Sequence, residues 1–239
     1  MLSLDWVNIN ENEMKFLHKF NDRLTFLVRN SDNNELRGII LPTRQEILSG
    51  TSSTDKKELL YDFDIGITLI HAFDFKTLLL NGDAKATEIL FERVDNYYKD
   101  NETLKKLIQK RNLFITKDLT KGYEELARKT FELSCVCSDT TKRSQFLASV
   151  LRDYYICLDI LNLGSINLEA TEHESLLSAC RKGIFIDDNG LLNEGYIALV
   201  EKLKEECDIA YEKSNLPDHC NADEVNAIFE ELHLGVVNS

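Results

Sequence analysis

Proline is nearly missing from this 239-residue chain, which has two, and glycine is sparse at ten. So little of either leaves no room for a Pro- or Gly-rich linker, and no internal repeat is present. Positive charge is also short: Lys plus Arg number 28 against 41 Asp plus Glu, a formal charge of −13. That balance argues against a protein whose main affinity comes from neutralising phosphates, although a small basic cleft can hide within it. No apolar run approaches the roughly 18 residues of a membrane span. The first residues, with Asp5 and Glu11, lack a signal-peptide pattern. The expectation is a cytoplasmic protein with no membrane partner. Six cysteines fall at 135, 137, 157, 180, 207 and 220 without paired metal-ligand spacing, so free and mostly buried thiols are expected rather than a zinc site.

The chain is organised around Asp62 to Phe91. Ile65 to Ile70 is a short β-branched apolar run and reads as a buried strand. From Phe73 the period changes: Phe75, Leu78 and Leu79 fall at i, i+3 and i+4, and Asn81-Gly82 supplies residues that tolerate positive φ where a helix must stop. A second short helix then starts near Asp83. Upstream, residues 12 to 20 place Phe16, Leu17 and Phe20 on one helical face. Leu24 to Val28 is a strand, Arg29 to Glu35 a dense turn, and Arg37 to Leu41 a second strand ending at Pro42. Three strands make a minimal sheet. Ser49 to Lys57 is the expected mobile loop.

After Phe91 the pattern is helical. Thr103 to Gln109 and Lys121 to Leu133 are amphipathic. Lys142 to Leu161 is the strongest helix, with an apolar stripe from Phe146 to Leu161 and Gly164 just beyond its end. Thr171-Glu-His-Glu174 has capping-box form. Residues 193 to 213 and a helix opened by Asn221-Ala-Asp-Glu224 complete the set. The expected fold class is α+β, with a small mixed β-sheet domain over residues 1–95 followed by an α-helical bundle over residues 96–239.

Three stretches carry a resemblance: Glu35-Leu-Arg-Gly-Ile-Ile-Leu-Pro42, Phe75 to Phe91, and Ala210-Tyr-Glu-Lys-Ser-Asn-Leu-Pro217 with the helix after it. In order and spacing, over roughly residues 24 to 234, the sequence resembles the RlaP/YcgL-type predicted nucleotidyltransferases, a branch of the DNA polymerase β superfamily found in bacteria and large phages. The resemblance implies a nucleotidyltransferase-like sheet domain ahead of a helical domain, and transfer of a nucleotidyl group to an acceptor, with RNA repair as the family's context. Such chemistry needs two Mg²⁺ ions to bridge the triphosphate, and therefore carboxylates converging from neighbouring strands.

By that resemblance the family's Asp-x-Asp pair falls on Asn33 and Glu35, and its third carboxylate on Gly66, with Asp64 two residues upstream on the same face. The family's Gly-Ser phosphate turn is absent. Lys142 and Arg152 match basic positions of its long helix, while Phe146 or Ser149 stands where a histidine is expected. If metal binding is retained, its ligands are Asp32, Glu35 and Asp64. If substrate binding is retained, its residues are Arg37, Lys142 and Arg152. Bland readings stand beside these: hairpin residues at 32 to 35, strand-entrance caps at Asp62 and Asp64, solvated charges on the long helix, and a structural His71 at a strand-to-helix junction. A degenerate member kept as a binding or regulatory module is expected. The acidic surface and the missing phosphate turn favour a protein partner, with a nucleotide or RNA as alternatives. A working Mg²⁺-dependent nucleotidyltransferase is the competing expectation. A nuclease has no residue pattern behind it.

Overall fold

In the computed structural model the described residues are 9–20, 22–30, 35–43, 45, 60–62, 66–99, 102–168, 171–187 and 190–238. The expected loop at 49 to 57 lies outside them. The fold is α+β, a mixed sheet in the N-terminal region followed by helices. Two compact units divide the chain: Met1–Leu80, Lys85–Arg111 and Asn221–Ser239 form the first, Asn81–Ala84 and Asn112–Cys220 the second.

The first unit opens with α1 (Glu11–His18), where Asn10 and Glu13 form a reciprocal capping box. Among the described residues five strands follow: β1 (Leu24–Arg29), β2 (Leu36–Ile40), β3 (Leu60–Asp62), β4 (Ile67–His71) and, further along the chain, β5 (Tyr97–Lys99), in the order β3-β4-β2-β1-β5. β1 and β2 pair as an antiparallel hairpin with a bulge between Leu24 and Phe26, and β2 runs parallel to β4 with Arg37 opposite Thr68. β1, β2 and β4 are buried along almost their whole length, which is why they read as continuous apolar runs rather than alternating ones. Ile9, Leu17, Leu24, Leu27, Leu36, Ile40, Ile67 and Leu69 make one core cluster, with Met14, Phe16 and Phe20 packed against it.

Gly66, at φ 61°, precedes β4, so the strand begins two residues later than its apolar run. β4 leads directly into α2 (Ala72–Leu80). Gly82, at φ 69°, breaks the chain before α3 (Ala84–Phe91). The amphipathic α4 (Glu102–Gln109) and the C-terminal helix, α9 (Ala222–Asn238), complete this unit, and α9 packs on α2 and α4. Phe75 of α2 meets Phe229 of α9 at 6.3 Å.

The second unit is built from α5 (Lys117–Val136), α6 (Thr140–Leu163), α7 (Glu174–Arg181) and α8 (Glu194–Lys213). α6 is its centre and packs against each of the other three. It is delimited as its sequence implies: Asp139 caps the Lys142 N–H at 3.0 Å, and Gly164 closes it in the left-handed region at φ 63°. α7 starts later than the capping-box pattern implies, at Glu174, and His173 in the capping position makes no side-chain cap bond. All six cysteines are free, with Cys157, Cys180 and Cys207 buried. Among the described residues no helix is long and apolar enough to cross a membrane.

One close approach within the second unit is set by glycine. A Cβ built on Gly122 of α5 would lie 2.0 Å from the Gly82 carbonyl oxygen. A backbone atom cannot rotate away as a side-chain end can. Glycine in a helix interior costs roughly 1 kcal/mol relative to alanine, and the approach explains why it is kept. Gly122→Ala is expected to lose about 3 kcal/mol or more through overpacking, well beyond the propensity it gains, and a thermal melt followed by circular dichroism checks this.

Candidate functional site

The base of the β1–β2 hairpin is closed by the Asn30 N–H, which donates to the Glu35 carbonyl at 2.8 Å. From there Glu35 and Arg37 point into a polar network inside the first unit. Arg37 on β2 is buried, with its side chain 7% exposed. Its Nε donates to Glu35 Oε2 at 3.2 Å, and its Nη1 to Glu88 Oε2 at 3.1 Å and to the Lys85 carbonyl at 3.4 Å. Thr68, its β4 neighbour, donates its hydroxyl to Glu35 Oε1. Burial alone would lower the guanidinium pKa, but the charges and hydrogen bonds of Glu88 and Glu35 outweigh it and the pKa is raised.

A second polar cluster flanks the first. Asn30 Nδ2 donates to Glu92 Oε1 at 3.0 Å and Asn96 Nδ2 to Glu92 Oε2 at 3.1 Å. Arg29 at the end of β1 pairs with Glu13 of α1 at 3.2 Å and donates to the Tyr98 hydroxyl at 3.3 Å. Each charged group is satisfied by side chains from a different element, the condition under which buried charge is tolerated.

Among the candidate residues, Asp32 and Asp64 lie outside the described residues, as does Asn33. Glu35 and Arg37 are brought together, but with each other. As placed, Glu35 does not fit a Mg²⁺ ligand: its two oxygens already accept from Arg37 and Thr68, and a guanidinium 3.2 Å away repels a dication. Lys142 and Arg152 lie on α6 in the second unit. Lys142 is exposed, while Arg152 is buried and donates to the Leu168 carbonyl at 3.4 Å. Ten residues of helix separate them by about 15 Å, so the two charges do not converge. His71 is buried at the end of β4; its Nδ1 accepts from the Phe73 N–H at 3.5 Å and its ring stacks on Phe73. No group of three or more His, Cys, Asp or Glu able to hold a metal ion occurs among the described residues.

Thr68, Glu88 and Glu92 belong to this network and were not expected from the sequence. A signal for a partner was available: Arg37 interrupts an otherwise apolar strand, Leu36 to Ile40, and a buried arginine requires acceptors. Glu88 within Ala84–Phe91 meets that requirement. No family model, curated protein or solved structure matches the chain.

Removing Arg37 leaves Glu35 and Glu88 facing each other without their cation. Arg37→Met is expected to destabilise the protein by about 3–5 kcal/mol, read from the midpoint of urea denaturation. The double variant Arg37→Met/Glu88→Gln is expected to recover part of the loss, because it removes one of the orphaned charges.

Proposed function

We propose that this protein is a non-catalytic relative of the nucleotidyltransferases it resembles and acts as a binding or regulatory module toward a protein partner. The observation that carries this reading is the engagement of Glu35. The carboxylate that the resemblance aligns with the family's metal-binding pair has both oxygens accepting from Arg37 and Thr68, so its charge ties β2 to β4, while Arg37 reaches on to Glu88 of α3. Nucleotidyl transfer needs anionic oxygen free for a dication. The formal charge of −13 supports a basic protein surface over RNA as the partner, since like charges oppose RNA approach. The missing phosphate turn weakens the case for a nucleoside triphosphate in the same direction.

Calorimetric titration of ATP, GTP, CTP and UTP, with and without Mg²⁺ or Mn²⁺, is the test. The expected outcome is no metal-dependent binding at millimolar nucleotide in folded wild-type protein. Metal-dependent binding that disappears in Asp64→Ala, with the fold verified by circular dichroism, would overturn the proposal in favour of a working Mg²⁺-dependent nucleotidyltransferase.

A further inference from the structure

The second unit contains a groove of about 330 Å³, within the range of small-molecule sites, lined by α5, α6 and α8. Helical spacing places Lys121, Glu124 and Arg128 along one side of α5, and Lys204 and Asp208, four residues apart, on α8. Tyr154 of α6 lines the groove with only 3% of its surface exposed.

Most charges here are already used. Arg128 binds Glu125 at 2.7 Å and also Glu132, and Lys121 reaches Asp118 at 3.4 Å and lies over the Tyr211 ring. Glu124, Asp208, Lys204 and the Tyr154 hydroxyl are different: no hydrogen bond or ion pair ties their side chains to another described residue. The groove therefore holds two carboxylates, one ammonium and the hydroxyl of a buried tyrosine that interact only through space. Burial first, and Asp208 second, push the Glu124 carboxyl pKa up; Lys121 and Lys204 only partly offset this. A cation between the two carboxylates would relieve the arrangement. An anion would add to the excess. A dication would meet the repulsion of Lys121 and Lys204.

The geometry points to a binding site for a small organic ammonium, held by the carboxylates of Glu124 and Asp208 and the Tyr154 hydroxyl, with Lys204 placed to take a carboxylate on the same molecule, as in a free amino acid. The site belongs to the second unit and does not rest on the function proposed above.

Amide NMR of the full chain, titrated with L-alanine, n-butylamine, acetate and magnesium chloride, tests it. Alanine or butylamine, each with one ammonium, is expected to shift signals of residues 121–128 and 204–208, while acetate and magnesium leave them in place. Tyr154→Phe is expected to weaken that binding about tenfold, the loss of roughly one hydrogen bond, and Glu124→Gln more. Tighter binding of alanine than of butylamine, lost in Lys204→Met, supports the carboxylate contact. No shifts at millimolar amine, shifts caused by acetate or magnesium, or affinity unchanged in Glu124→Gln would overturn the proposal.

Glu124→Gln is also expected to fold well. A carboxyl whose pKa is higher folded than unfolded costs stability that appears as pH rises above its unfolded value, so removing the charge should raise the melting temperature at neutral pH. A melting temperature that falls at neutral pH instead would show Glu124 making a stabilising contact within the protein, and would overturn the proposal as well.

Discussion

A buried guanidinium is the constraint on which the α/β unit depends. Desolvating Arg37 is tolerable only because three acceptors converge on it: the carboxylate two positions before it, a carboxylate from α3 and a carbonyl from the same helix. Thr68 then fixes the far oxygen of Glu35 from β4. This arrangement sets which helix lies against which strand with a directional requirement that apolar packing alone lacks. A hydrophobic pair in the same place would hold the layers together equally well while specifying their register less closely.

The regular elements were legible because each carries a period. β1, β2, α2, α6, α8 and α9 all lie where apolar spacing and turn residues put them, and Asp139 and Gly164 bound the longest helix. β3 and β5 were not legible. Each is three residues long and pairs at a sheet edge, and three residues hold too little alternation to separate a strand from a loop. The late start of α7 has a similar origin, since the first three residues of its capping-box pattern, 171–173, form a turn of 3-10 helix.

The site was less legible than the fold. The sequence places Glu35 and Arg37 two residues apart, but spacing along a strand says only that they share a face. Whether an acidic residue meets a metal or a guanidinium depends on what the opposing helix brings, here Glu88, fifty-one positions away from Arg37 in the chain. Arg152 carries the same lesson: a charge on an amphipathic helix reads as solvated, yet it is buried, pairs with Asp153 and donates to the Leu168 carbonyl. The groove over Tyr154 left no trace in the sequence because it is assembled from three helices whose charged residues each look like ordinary surface.

The way the two units divide the chain bears on the order in which they can be completed during synthesis. All of the second unit except Asn81–Ala84 is one continuous segment that ends at Cys220, whereas the first includes α9 at the C-terminal end. A chain emerging from the ribosome can therefore finish its helical unit while the sheet still lacks its last helix. Until α9 has emerged, the surfaces of α2 and α4 that it covers stay open to other chains, so the sheet unit is exposed to misassociation longer than the helical unit.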